Sequence, residues 1–274
     1  MANPITMDTD WGAKGAQLTG QQVQDFIKGQ LRALIDKDTA LQNQIQNLNT
    51  DLQGNNPQLQ AATDGCFVTY HRKSDNFPLA VPYWSWPALE KQGEVADGVL
   101  VLIDGQAPII VSPTGTQLYW SKNAIAVNAD VAGDYNKAYV DYTGKTRTAA
   151  IMAKGEELFG EEQETWKDNY AAPWCNAYDR SYDKGEGSMV GLGAGSWWLP
   201  SIAELIEIWK HKYAINVCLS VISGASQLVE SWHWSSTEYS ATRAWDLYLS
   251  NGTLHYWNNK VSYSNYVRAV SAFH

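Results

Sequence analysis

Long hydrophobic runs are missing from this 274-residue chain. The longest near its middle, Val99–Ile103, is far too short to cross a bilayer, so membrane insertion is not expected. The first ten residues, Met1–Asp10, carry neither a basic region nor an apolar stretch and do not read as a secretory signal. The expectation is a chain made in a cytoplasm and not exported by the signal-peptide route. Runs of Lys and Arg are also missing. With a formal net charge of -9 and no basic stripe, no nucleic-acid partner is expected. Cysteine is scarce: Cys66, Cys175 and Cys218 are odd in number, widely spaced and without a CxxC pair. They read as three buried thiols rather than a zinc site, and a Cys175–Cys218 disulfide stays open. The five His are scattered and form no metal-ligand pattern. Phe is scarce too, 5 residues against 13 Trp and 15 Tyr. Trp and Tyr join an apolar body to a polar handle and are favoured at binding surfaces, although most of these Trp are expected in the core.

The chain is long enough for a sizeable core and one or two domains. Residues 1–20 are polar and glycine-containing and read as an N-terminal arm. Residues 21–56 then carry a heptad seam. Ile27, Leu31, Leu34, Asp38, Leu41, Ile45, Leu48 and Leu52 are spaced alternately four and three apart, which predicts a coiled-coil stalk about 40 Å long. Asp38 interrupts the seam at an a position, a device that sets register or oligomer state. Gly54-Asn-Asn-Pro57 ends it. Residues 57–94 read as a connecting β and loop region, in which Phe67–Tyr70 is a strand and Tyr83–Pro87 an edge or loop.

From residue 95 to 274 the pattern is that of an α+β domain, with strands at both ends and helices between. Val99–Ile103, Pro108–Ser112 and Gln117–Trp120 read as strands and Thr146–Leu158 as a helix. Thr165–Tyr182 holds a second, shorter helix after Pro173, and Asp183–Ser196 reads as a loop. Ser201-Ile-Ala-Glu204 is a capping box opening a helix whose buried face is Ile202, Leu205, Ile206 and Trp209. From Trp232 the chain is β again.

One hairpin stands out near the end. Asn251-Gly252 predicts a two-residue type I′ turn, because both central positions need φ > 0. That turn sets Ser250 opposite Thr253, Tyr248 opposite His255 and Asp246 opposite Trp257. Strand side chains alternate between faces. Trp245, Leu247, Leu249, Leu254 and Tyr256 then form a core face, while Asp246, Tyr248, Ser250, Thr253, His255 and Trp257 form an outer one. The outer face is rich in rings and hydrogen-bonding groups, as a contact surface would be.

Several motifs occur in order: Asp141-Tyr-Thr-Gly-Lys-Thr-Arg-Thr-Ala-Ala150, Ala172-Pro-Trp-Cys-Asn-Ala-Tyr178, Gly195-Ser-Trp-Trp-Leu-Pro-Ser-Ile-Ala-Glu-Leu205, Trp234-Ser-Ser-Thr-Glu238 and Asn265-Tyr-Val-Arg-Ala-Val270. Together, over roughly residues 95–274, they resemble the C-type-lectin-like domain of many gut-bacterial and phage proteins, related to the formylglycine-generating-enzyme fold. Within that group the chain is similar to the variable proteins of diversity-generating retroelements. There a reverse transcriptase miscopies template adenines and rewrites codons near the 3′ end of the target gene. The resemblance implies a variable region at about 234–273. It implies ligand-binding positions Tyr239, Asp246, Tyr248, Ser250, Thr253, His255, Trp257, Asn258, Val261 and Tyr263. The hairpin register agrees with this, since a scaffold tolerates arbitrary substitution only outside its core. Buried changes typically cost about 2–5 kcal/mol, and exposed ones stay within about 0.5 kcal/mol.

An unexported chain with an arm, a coiled-coil stalk and a lectin-like head also resembles a phage tail-fibre or receptor-binding protein. Such proteins are commonly trimers, and several heads on one stalk raise apparent affinity; Leu at d with mixed a residues also permits dimers. The implied partner is a bacterial surface protein or glycan. The implied location is the virion, with the bacterial cell surface and an adhesin role as the alternative. An enzyme is not expected. Sulfatase-activating members of the fold need a cysteine pair near the C-terminus, and none follows Cys218. Glu230, Glu238 and Asp246 are candidates for a glycoside-cleaving pair, the alternative reading, if two stand about 5–9 Å apart in a cleft. A collar or baseplate role is a third option. The Gly-rich run Gly185–Gly195 lacks the Lys-Ser/Thr of a phosphate loop. No Glu-Pro-Asn calcium-lectin motif is present, so the expected site needs no metal or cofactor.

Overall fold

In the computed structural model of the protein, residues 21, 25, 27–37, 65–185 and 187–273 are described. The chain divides into two compact units, Met1–Gln60 and Ala61–His274. In the first, the backbone is helical at 21, 25 and 27–37, and Ile27, Leu31 and Leu34 of the seam are all exposed. The arm at 1–20 and the seam from Asp38 to Leu52 lie outside the described residues. No helix among the described residues is long and apolar enough to cross a membrane.

The second unit is α+β, built on one large, mostly antiparallel sheet. Its strands are β1 (Cys66–His71), β2 (Pro78–Val81), β3 (Ala96–Val101), β4 (Ile109–Tyr119), β8 (Trp232–Glu238), β9 (Ala244–Tyr248), β10 (Thr253–His255) and β11 (Ser264–Ala272), in the order β10-β9-β8-β11-β4-β3-β1-β2. A two-residue strand, β7 (Trp197–Trp198), also pairs with β11. Tyr182–Asp183 (β5) and Met189–Val190 (β6) form a small hairpin inside the glycine-rich stretch read as a loop. β4 and β11 pair along most of their length, from Ser264↔Tyr119 to Ala272↔Ile109, and among the described strands only β8 and β11 run parallel.

The region read as a connector belongs to this sheet. β1 pairs with both β2 and β3, so the unit begins well before residue 95. Tyr83–Ser85 is a 3-10 turn leading into the helix α1 (Trp86–Lys91), in place of an edge or loop. Pro87 sits in the first helical turn, where its missing N–H is not needed. Trp86 is fully buried beside Tyr70.

Both faces of the sheet are covered, and the period-two pattern sorts side chains between them. On one face Val99, Val101, Val111, Trp245, Leu247 and Leu249 pack under α7 (Ile202–Lys210) and α8 (Lys212–Leu219). On the other, Leu100, Ile110, Leu118, Trp234 and Val267 pack under α3 (Gly144–Ala153), α4 (Gly155–Phe159), α5 (Trp166–Asn169) and α6 (Ala171–Ala177). A short helix, α2 (Tyr135–Ala138), precedes α3. The single helix read at Thr146–Leu158 is thus two, α3 and α4. The cysteines are buried, with Cys175 and Cys218 as thiols in opposite core layers, so the disulfide left open does not form.

The capping box at Ser201 is present. Its hydroxyl accepts from Glu204 N, and Glu204 Oε2 accepts from Ser201 N at 2.7 Å. The motif residues meet around it. Thr148 Oγ1 donates to Leu199 O and accepts from Leu199 N. Thr237 Oγ1 accepts from Ile202 N and donates to Asp141, which also binds Arg147 Nε at 2.8 Å. Gly144 passes so near Glu204 that a Cβ there would lie 2.2 Å from Oε2. These residues fasten α3, α7 and β8 together.

The end of the hairpin departs from the sequence reading. Thr253 pairs with Tyr248, Leu254 with Leu247 and His255 with Asp246, a register two residues from the one expected. The faces survive, because a shift of two preserves the alternation. The turn is a four-residue loop, Leu249–Gly252, in which only Gly252 has a positive φ (77°). Three contacts select it over the local Asn-Gly preference. Asn251 Oδ1 accepts from Thr253 N and Oγ1, an Asx turn. Gly252 lies against Trp209, whose ring a Cβ would meet at 2.4 Å. Lys212 Nζ, nearly buried, donates to Leu249 O at 2.9 Å and Ser250 O at 2.8 Å. Lys212→Met strands those two carbonyls, so urea unfolding of the full chain should show a loss of about 2–3 kcal/mol; an unchanged midpoint would mean that the loop holds itself.

Candidate ligand-binding face

β10 is an edge strand, and rings gather around it. Tyr239, following β8, stacks on Tyr256 with centroids 4.5 Å apart and planes at 15°. Tyr256 also meets Trp245 at 5.0 Å and Tyr135 at 6.0 Å. Tyr135 leads to Tyr139, and Tyr256 to Trp257. Past the strand, Trp257 faces His255, His255 lies 4.9 Å from Trp232, and Trp232 lies 5.0 Å from Tyr248. The result is a continuous ribbon of rings wrapped around the sheet edge. Trp257 is 64% exposed, Tyr139 54% and Tyr135 42%, while Tyr239, Trp232, Tyr248, His255 and Tyr256 are half-buried.

Buried polar contacts hold the ribbon from beneath. Ala132 takes a left-handed φ of 45° and its carbonyl accepts from Trp245 Nε1 at 2.8 Å. Gly133 lets the Tyr239 ring approach, since a Cβ there would lie 3.1 Å from it. Asp134 caps α2 by accepting from Asn136 N and Lys137 N. On the other side, Lys260 is fully buried. Its ammonium pairs with Glu238, donates to Ile125 O at 3.2 Å and lies over the Trp120 ring at 4.1 Å. Burial lowers the Lys260 pKa, against the pull of Glu238. Glu238 also accepts from Val127 N and Asn128 N. The segment carrying Trp257 is thereby tied to β8 and to residues 125–128.

The sequence-predicted positions divide. Ser250, Thr253, Trp257 and Tyr263 are exposed; Tyr239, Tyr248, His255, Asn258 and Val261 are half-buried. Tyr239, Tyr248, His255 and Trp257 come together in the ribbon. Val261 and Tyr263 sit beyond Lys260 on the turn into β11, outside the chain of adjoining rings. Asp246 differs from expectation: it is 0% exposed. It lies on the outer face of the hairpin, but opposite Trp234, where the second core layer covers the sheet. Its Oδ2 accepts from Asn265 Nδ2 at 2.9 Å and from Asn258 Nδ2, and its Oδ1 lies 3.1 Å from His255 Nδ1. Burial outweighs those amides and pushes the carboxyl up to about 8. Burial and the field of Arg243 lower the pKa of His255. Both shifts act against an ion pair between them.

Tyr135, Tyr139 and Trp232 are ribbon members that the hairpin reading missed. The spacing of Tyr135 and Tyr139, four apart, is a legible signal, because such residues share a helix face. Of the carboxylates weighed as a cleaving pair, Glu238 is bound to Lys260, Asp246 to its amides, and Glu230 to Lys212. No group of three or more His, Cys, Asp or Glu placed to hold a metal occurs among the described residues.

The buried Asp246 links stability to pH. Its folded pKa is raised from 3.8 to about 8, so between those values the folded state holds a proton that the unfolded state has released. Stability then falls as pH rises through this window and levels off above it. Asp246→Asn mimics the protonated acid and removes the effect. Relative to the parent, this variant should gain stability from pH 4 to 8 with a slope of up to about 1.4 kcal/mol per pH unit. Parallel pH–stability curves from urea unfolding would show that Asp246 is ionised in the fold.

No family model matches the chain, and no curated protein matches it. Among solved structures it is similar to a fimbrial protein from Bacteroides ovatus, with 14% sequence identity and a TM-score of 0.41 over 60% of this chain and 35% of that one. The chain thus spans about a third of the length of that structure.

Proposed function

We propose that this protein binds a ligand without transforming it, through the aromatic ribbon at the β10 edge. The observation that carries this is the ribbon itself: adjoining Tyr, Trp and His rings, partly exposed and fixed to the sheet by buried polar contacts. Aromatic side chains offer large contact area at low entropic cost, and a preorganised face loses little on binding. In this reading the head is a C-type-lectin-like domain of the retroelement-diversified kind, carried on a coiled-coil stalk. Its role is that of a phage receptor-binding tip directed at a bacterial surface molecule. The exposed Ile27, Leu31 and Leu34 favour self-association of the stalk, with a homotrimer as the proposed state. Glu230, Glu238 and Asp246 are assigned structural roles.

Binding of the full chain to intact bacterial cells and to purified surface polysaccharides and proteins tests the ribbon. Trp257→Ala should weaken binding at least tenfold with an unchanged melting temperature; equal binding by parent and variant would sink the reading. Diversification has a separate test in the flanking DNA. A near-identical repeat of the segment encoding 234–273, differing mainly at adenines and lying beside a reverse-transcriptase gene, is expected. An unrepeated segment would leave a binding head that is not rewritten.

A further inference from the structure

The hydrogen bonds around His255 locate two protons. His255 Nδ1 faces Trp257 N at 3.3 Å and Asp246 Oδ1 at 3.1 Å. A backbone N–H only donates, so Nδ1 accepts and carries no hydrogen. Oδ1 must then be the donor in the second contact. The other carboxyl oxygen leads to the same assignment. Oδ2 receives the amide N–H groups of Asn258 and Asn265, so it is the carbonyl-like oxygen and the acid proton sits on Oδ1. With Nδ1 bare and the ring uncharged, the imidazole proton is on Nε2. That nitrogen has no hydrogen-bond partner among the described residues and is not a buried orphan. The His255 ring itself lies between Trp232 and Trp257, with centroids 4.9 and 5.9 Å away.

We propose that His255 Nε2–H is a fixed hydrogen-bond donor within the aromatic ribbon, held in that tautomer by protonated Asp246, and that it recognises a ring or hydroxyl oxygen of a neutral sugar stacked on Trp257. This rests on the ribbon being the binding face and narrows its ligand. A flat exposed indole beside one directed donor matches a pyranose, which has an apolar C–H face and oxygens around its rim. The donor and the acid behind it are both uncharged, so the pair supplies no counter-charge for an ionic ligand.

The arrangement also inverts with pH. When Asp246 gives up its proton to solvent, the carboxylate requires a donor, and the imidazole proton moves from Nε2 to Nδ1 by exchange with water. Nε2 then presents a lone pair where it had presented a hydrogen, and Trp257 N–H loses its acceptor. The groups facing the pair do not compete for this role. Asn265 on β11 and Asn258 in the following segment are neutral amides, and β8 contributes Trp232 and Trp234. Tyr248 shares the face on β9, Arg243 disfavours a charged imidazole, and Lys260 and Glu238 are bound to each other.

Two measurements on the full chain test the proposal. The first is the ¹⁵N NMR signature of His255 without ligand. Nδ1 should be of the unprotonated type at pH 6.5 and exchange its character with Nε2 as the pH passes about 8; a protonated Nδ1 at pH 6.5 overturns the proposal. The second is titration calorimetry with three neutral polysaccharides (a glucan, a mannan and a galactan) and an anionic one. At least one neutral polymer should bind at pH 6.5 and at least tenfold more weakly at pH 9. Asp246→Asn, whose amide N–H₂ can donate to Nδ1 at any pH, should bind equally at both. His255→Phe, which keeps the stacked ring without the donor, should lose at least tenfold at pH 6.5. Binding to none of the neutral polymers, preference for the anionic one, or full binding by His255→Phe overturns the proposal. If Trp257→Ala weakens binding while His255→Phe does not, the ribbon stands and the donor falls. If neither variant weakens it, the ribbon reading falls as well.

Discussion

A carboxyl group taken out of water must find donors or a proton, and this requirement organises the second unit. Asp141, Glu204, Glu238 and Asp246 are all nearly or fully buried. Each solves the problem by drawing in a different stretch of chain. Asp141 holds Arg147 and Thr237, joining α3 to β8. Glu204 closes its capping box and takes the Trp198 indole N–H; burial nevertheless pushes its carboxyl up to about 7. Glu238 takes two backbone amides and the Lys260 ammonium. Asp246 takes two side-chain amides and faces His255. An apolar core specifies little about loops, which must run where their polar backbone is satisfied. Here the buried acids supply that specification.

The ribbon depends on this more than on its own packing. Glu238 and Lys260 are an uncompensated charge apiece if separated, and breaking such a buried pair typically costs about 3–5 kcal/mol. The segment between His255 and Ser264 has almost no regular structure of its own. It keeps its course because Lys260 is anchored at one point and Asp246 holds Asn258 at another. The exposed Trp257 stands between those two anchors. A large ring can be presented to solvent without collapsing onto the core when the backbone on both sides of it is fixed.

Much of this was legible in the sequence, and the misses have physical causes. The capping box at Ser201, the buried face of α7 and the two faces of the hairpin follow from spacing, because spacing reflects covalent geometry. The turn type did not follow, because Lys212 and Trp209 lie about forty residues earlier and outweigh the Asn-Gly preference. The register slipped by two and kept its faces; a slip of one would have exchanged Trp245 with Asp246. Tyr83–Pro87 read as an edge or loop, yet a first-turn proline begins a helix. β1 and β2 looked like a connector because nothing local says which strands they pair with. Of the ordered motifs, those at 141–150, 195–205 and 234–238 meet in one buried polar network.

Asp246 shows where the reading by faces reaches its limit. Alternation assigns a side chain to one side of a sheet, but exposure depends on what covers that side. At the free edge the outer face meets solvent, and Ser250, Thr253 and Trp257 are exposed there. One strand inward the same face is covered, and Asp246 beside Trp234 is closed off. If this segment is rewritten, the tolerant positions are those at the edge, where a changed side chain disturbs no buried partner. Replacing Asp246 by an apolar or bulky residue would leave Asn258 and Asn265 without their shared acceptor, and unsatisfied buried donors cost about 1–3 kcal/mol each. The face therefore has a closed inner margin and an exposed outer one. His255 stands at the boundary: its ring belongs to the surface, and its proton is set by the acid beneath it.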